Sequence, residues 1–87
     1  MPTERPIRLT GHAHGQLAFR GATEADVLAA IRTSPWQPAE LARLECRKDF
    51  PFHAEWNRRW HATRQVRPIF VEEREEIVVV TVYVYYF

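Results

Sequence analysis

Residues Ile77–Tyr86 read IVVVTVYVYY, an almost unbroken run of β-branched and aromatic side chains. Such side chains pack well on a pleated surface, so the run is expected to form a strand. It is apolar on both faces, which places it centrally in a sheet with cover on at least one side. Its even positions, Val78, Val80, Val82 and Val84, are uniformly aliphatic and are expected to lie under a layer of helices. Its odd positions, Ile77, Val79, Thr81, Tyr83 and Tyr85, run out to hydroxyls and are expected to face a groove or solvent.

Working back from this strand, Glu73-Arg74-Glu75 reads as a charged hairpin turn. Three further strand candidates precede it: Leu44 to Phe50, closed by Pro51; Asn57 to Val66, flanked and filled by Trp56 and Trp60; and Arg67 to Glu72, which either stands alone or runs on from the second. The N-terminal half has helical punctuation instead. Pro2 and Pro6 mark an extended lead-in, and Ile7-Arg8-Leu9 is either a short strand or a staple against the next helix. Thr10 is placed to cap a helix that continues to about Arg20 and stops at Gly21. Thr23-Glu-Ala-Asp26 has the form of a capping box, Val27, Leu28 and Ile31 supply an apolar face, and Ser34-Pro35 ends the second helix. Residues 34–41 read as a loop. The expected fold is therefore α+β: two N-terminal helices packed on one face of a three- to four-stranded antiparallel sheet, in a single domain spanning 1–87.

Composition narrows the function. One cysteine, Cys46, excludes an internal disulfide and a cysteine-based metal site, and points to a reducing compartment. The N-terminal stretch lacks the apolar run of a signal peptide, and no segment approaches about 20 apolar residues, so a cytoplasmic protein away from membranes is expected. The net charge is only +1, with 11 arginines among the 12 basic residues. Residues 43–67 carry seven basic groups against three acidic, and residues 68–76 carry one against four, so a positive side is expected. Arginine suits two-pronged recognition of phosphate or carboxylate. A DNA-binding reading is disfavoured, because Arg32 is the only basic group on the second helix.

No phosphate loop, nucleophile elbow or metal-ligand spacing is present; His12 and His14 stand two apart, which splits them between helix faces. Arg, His, Thr and Tyr remain. If strand register brings Arg64 or Arg67 beside Tyr83, a groove presents guanidinium and phenol together; the two arginines fall on opposite strand faces, so at most one of them faces it. Guanidinium stabilises a pentacovalent phosphate, tyrosine stacks on a base, and a histidine such as His12 or His61 carries protons. These are the parts of a metal-independent ribonuclease. They are also ordinary residues of a sheet surface: His12 capping a carbonyl, Arg20 bracing the helix pair, Tyr83 and Tyr85 shielding the strand.

RLTGHAHGQLAFRGATEADVLAAI at 8–31, RLECRKDF at 43–50, and TRQVRPIFVEE followed by EIVVVTVYVYYF at 63–87 together resemble a family of small bacterial domains of unknown function. That family is similar to BrnT-type and RelE-type toxins of the barnase–EndoU–colicin–RelE fold. The resemblance implies helices followed by a curved antiparallel sheet whose concave face cuts RNA without a metal or cofactor, and an antitoxin-type protein partner. It points to His12 in the leading HA motif, Arg20 in the RG motif, Arg64, and Thr81 and Tyr83 in the closing TVY motif; with Arg67, taken from strand register, the catalytic candidates are His12, Arg20, Arg64, Arg67 and Tyr83. Arg58, Arg59, Thr81 and Tyr85 are the accompanying RNA-binding candidates. Arg64 stands where relatives tend to carry Lys. The competing expectation is a non-catalytic interaction module of the same fold, acting as a homodimer or through a partner strand.

Overall fold

Thr10 and Thr23 fix where the N-terminal half turns helical. In the computed structural model, which describes residues 5–87, Thr10 is extended and its hydroxyl accepts from the Ala13 N–H, opening helix α1 (Gly11–Arg20). Gly21 closes α1 in the left-handed region at φ 75°, donating its N–H to the Leu17 carbonyl. Thr23 and Asp26 form the reciprocal capping box of α2 (Glu24–Thr33), and extended Ser34 ends it ahead of Pro35. The part of the extended lead-in at residues 1–4 lies outside the described residues.

Six strands follow the pattern β1 (Ile7–Leu9), β2 (Gln37–Pro38), β3 (Leu44–Glu45), β4 (Lys48–Trp56), β5 (Arg59–Glu72) and β6 (Ile77–Tyr86). The fold is α+β, with two helices and one mixed sheet ordered β1-β6-β5-β3-β2, β4 pairing along the first half of β5. The sheet is larger than the three or four antiparallel strands expected, and it is not wholly antiparallel. β1 runs parallel to β6, with Ile7 opposite Ile77 and Leu9 opposite Val79. Pro6 accepts from the Ile77 N–H and Thr10 donates to the Val79 carbonyl, so the lead-in is stitched to β6 at both ends. Local sequence pattern carries no trace of this pairing between distant segments.

Two prolines redraw the other strands. The expected strand Leu44–Phe50 is split at Cys46 and Arg47 because it lies opposite Pro68, which has no N–H to continue the ladder and only accepts from Cys46. Pro51 falls inside β4 instead of closing a strand; it precedes a register shift between Pro51 and Ala54 on an edge, where a missing donor is tolerated. Asn57 and Arg58, with φ of 53° and 68°, form the tight turn between β4 and β5, so the strand expected from Asn57 begins at Arg59. β5 is continuous over 14 residues and joins the two candidates that sequence left separate.

The decisive irregularity lies in β6. Its register to β5 passes from Ile69↔Thr81 directly to Phe70↔Val79, leaving Val80 as an extra residue. A bulge of this kind reverses side-chain phase. Ile77 and Val79 are therefore buried in the core before the bulge, and Val82 after it, with Val84 packed against them. Thr81, Tyr83 and Tyr85 turn the other way. The expected inward row of four even valines is thus correct only beyond the bulge. The core itself joins Ala13, Leu17, Val27, Ala30 and Ile31 of the helices to Val66, Phe70, Ile77, Val79 and Val82 of the sheet.

Helix α1 lies along the edge of β6 beyond β1. There the Gln16 side-chain carbonyl accepts from the Val82 N–H at 2.9 Å and from the Thr81 hydroxyl at 2.7 Å, satisfying an edge donor that would otherwise need water or another strand. The β4–β5 ribbon is tied down by Tyr86. Its ring stacks on Trp56 at 5.0 Å and meets Phe52 and His61 at 5.1 and 5.6 Å, while its hydroxyl donates to the Arg20 carbonyl at 2.6 Å. Burial raises the Tyr86 pKa above its ordinary value; Arg64 opposes this rise and Asp26 adds to it. Gly21 lies beneath this cluster, where a Cβ would collide with the Tyr86 hydroxyl and come within 2.9 Å of the Trp56 ring. Gly21→Ala combines that collision with a left-handed backbone and should lower stability by about 2–4 kcal/mol, read from urea unfolding.

Candidate functional site

The outer face of the sheet, opposite the helices, holds an open cleft of about 680 Å³. Arg67 and Ile69 of β5, Thr81 and Tyr83 of β6 and Glu45 of β3 form its floor, and Pro38 to Leu41 with Arg43 form one wall. Each group is placed by strand alternation. Arg67 is paired with Tyr83, Ile69 with Thr81 and Glu45 with Ile69, so all five side chains share one face.

Glu45 is a buried carboxylate, 7% exposed. It accepts from the Arg67 guanidinium at 2.5 Å and lies 3.8 Å from that of Arg47. A second Arg67 nitrogen donates to the Tyr85 hydroxyl at 3.2 Å. Arg67 is held in its charged form: the hydrogen bond to Glu45 raises its pKa, burial opposes this, and Tyr85 adds to it. Its Nε is buried with no hydrogen-bond partner among the described residues. The Tyr83 ring receives two cations, with the guanidinium carbons of Arg67 and Arg20 at 5.4 and 5.5 Å from its centroid. Arg20 makes no ion pair among the described residues.

The cleft wall is a strained hairpin. Ala39 donates to the Arg43 carbonyl and Arg43 to the Glu40 carbonyl, closing a turn whose central residues, Leu41 and Ala42, have φ of 61° and 57°. Turns of this shape ordinarily use Asn-Gly, and each side chain forced into the left-handed region costs about 1–2 kcal/mol. Leu41 is held 80% exposed at the tip.

The convergence expected from sequence is partial. Arg67, Tyr83, Thr81 and Tyr85 come together, and Arg20 joins them from α1. The Thr81 hydroxyl is already engaged with Gln16. Arg64 is on the opposite face, where it donates to the Gly21 carbonyl at 2.7 Å, pairs with Asp26 at 3.0 Å and lies over the Phe50 and Phe52 rings. It braces the helix junction and has no place in the cleft, because β5 alternation separates it from Arg67. His12 is exposed on α1, and His61 packs on Tyr86; neither lines the cleft. Arg58 and Arg59 are exposed at the ribbon turn. Glu45 is the group that sequence reading missed. Its signal was a lone carboxylate between apolar Leu44 and Cys46 in a strand candidate.

Among the described residues no three His, Cys, Asp or Glu side chains converge closely enough to hold a metal ion, and no helix is long and apolar enough to cross a membrane. No family model matches the chain, and no curated protein or solved structure is similar to it.

Three outcomes follow for this region. Ala42→Gly relaxes the turn and should raise stability by about 1 kcal/mol without altering the cleft, as read by chemical unfolding. Cys46, next to Glu45, is buried, and burial, helped by the Glu45 charge, pushes its thiol up to about 12. Since only thiolate reacts, iodoacetamide at pH 8 should label the unfolded chain and spare the folded one. Raising the pH through roughly 8.5 ionises the unfolded thiol first and should lower stability, an effect absent in Cys46→Ala.

Proposed function

We propose that this chain is a toxin-like, metal-independent endoribonuclease, a single domain that cuts RNA in the cleft on its outer sheet face. The observation that carries this reading is two guanidinium groups, Arg67 from the cleft floor and Arg20 from α1, on one phenol ring, Tyr83, which lines the cleft together with the Glu45 carboxylate. RNA offers the phosphate that arginines grip, the base that a tyrosine stacks on and the 2′-hydroxyl that a carboxylate activates. It is supported further by the resemblance of the RG and TVY segments to the toxin-like family.

The roles follow from the contacts. An incoming phosphate competes with Glu45 for the Arg67 donors. Arg67 and Arg20 then stabilise the negative charge that gathers on the pentacovalent phosphorus. Glu45, released from Arg67, takes the 2′-hydroxyl proton. The 2′-oxygen–phosphorus bond forms and the phosphorus–5′-oxygen bond breaks, leaving a 2′,3′-cyclic phosphate. The departing 5′-oxygen takes its proton from the Tyr85 hydroxyl, which Arg67 already orients; solvent restores that proton. Tyr83 stacks the adjacent base. Glu45 replaces the expected histidine, and Arg64 is left a structural part. Arg58 and Arg59 are remote phosphate contacts on the ribbon.

The outer edge of β4 pairs with no strand among the described residues and suits an antitoxin-type partner adding a strand. The same edge favours the second reading, a non-catalytic module that pairs with a partner or a second copy.

Purified protein incubated with single-stranded RNA in EDTA should yield fragments ending in 2′,3′-cyclic phosphate. Arg67→Ala and Glu45→Gln should each slow cleavage by about 100-fold or more, while His12→Ala cleaves like the parent. Intact RNA from pH 5 to 9 with folded protein would overturn the nuclease reading, and a stable dimer by light scattering in that case would favour the module.

A further inference from the structure

Past the cleft, β6 presents a row of rings. Tyr83, Tyr85 and Phe87 are 37%, 40% and 58% exposed on the outer face, while the intervening Val84 and Tyr86 turn to the helices. Phe87 belongs to the row because its N–H and carbonyl both bond to Thr63, extending the β5–β6 ladder one pair past Arg64↔Tyr86. Alternate residues on one strand face stand about 7 Å apart. The bulge at Val80 puts these rings outside; with regular alternation from Ile77 and Val79 they would enter the core.

The surroundings of the row are cationic or hydrogen-bonding. Arg20 lies over Tyr83 and Arg67 donates to Tyr85. Asp49, across the sheet at the level of Tyr85, accepts from the Gln65 amide at 2.9 Å. Aromatic faces beside arginines, with Glu45 and Asp49 on the same sheet face each held by a donor, suit a ligand that carries flat rings on a negative backbone.

We propose that Tyr83, Tyr85 and Phe87 form a stacking platform for two or three unpaired bases of single-stranded RNA, leading away from the cleft toward the ribbon. This rests on the RNA reading of the cleft and adds the substrate class. Small sheets that read RNA stack two or three splayed bases on exposed aromatics in this way. A duplex is excluded as substrate, because its bases are already stacked on one another and A-form grooves offer only edges, sugars and phosphates to the rings. A protein partner would favour a broad apolar patch. Here Gln65, Arg67 and Thr81 interrupt the rings on the same face.

Fluorescence anisotropy with a labelled single-stranded RNA octamer and with a blunt duplex of the same sequence tests the platform. Stacking on one ring corresponds to roughly tenfold in affinity. Tyr85→Ala and Phe87→Ala should each weaken octamer binding by roughly tenfold, and the duplex should bind far more weakly than the octamer to the parent. Phe19→Ala, which removes an 86% exposed ring from α1, should bind like the parent. Equal binding by parent and row variants, equal binding of duplex, or no octamer binding at all would overturn the platform. Self-association abolished by Phe87→Ala, with no RNA binding, would overturn it in favour of a protein interface. Octamer binding that depends on the row without cleavage of any RNA would sustain the platform and reject the nuclease.

Discussion

Burial of Phe70, Ile77, Val79 and Val82 beneath Ala13, Leu17, Val27, Ala30 and Ile31 is the contact on which everything else depends. Each large apolar side chain removed from water stabilises the fold by about 1.5–3 kcal/mol, and a chain of 87 residues has few such groups to lose. The caps at Thr10, Thr23 and Gly21 make that burial reproducible by fixing where each helix starts and how the two meet. Because α1 lies beside β6, it serves both faces of the sheet. Ala13 and Leu17 enter the core, Gln16 seals the edge, and Arg20 reaches over to Tyr83.

The two arginines of β5 show how position settles role. Arg64 and Arg67 are three residues apart, hence on opposite faces, and each has a carboxylate partner: Asp26 for the first and Glu45 for the second. The Arg64 pair is walled by aromatics and the α1–α2 junction, so it holds parts of the fold together. The Arg67 pair opens onto the cleft, where a ligand oxyanion can compete for the same donors. A partly buried pair of this second kind contributes modest stability, because desolvation offsets much of the attraction. What the pair does for the fold is hold a charged arginine in position at the cleft.

Features with local causes were legible in sequence. Thr10, the Thr23–Asp26 box, Gly21 and Ser34-Pro35 act within one turn of the chain, and both helices are bounded as those residues indicate. The β6 strand and the turn before it were equally plain, since ten residues of one character admit few alternatives. The parallel pairing of β1 was hidden, because it joins segments some seventy residues apart. So was the hairpin at Leu41-Ala42, whose residues give no turn signal. In the site, Arg67, Thr81, Tyr83 and Tyr85 were legible through strand alternation, and the separation of Arg64 from Arg67 followed from the same rule. Glu45 was hidden because nothing nearby in sequence marks its partner, and His12 was favoured by motif alone.

The bulge at Val80 behaves toward the strand as a frameshift behaves toward a message. If Val80 were instead taken into the ladder, regular alternation would exchange the two faces beyond it: Thr81, Tyr83 and Tyr85 would be driven under the helices, and Val82, Val84 and Tyr86 turned out to water. The register of β6 is therefore under a tighter constraint than most of its side chains. Many hydrophobic exchanges there are tolerable, whereas a ladder that absorbed Val80 would erase the cleft and the core together.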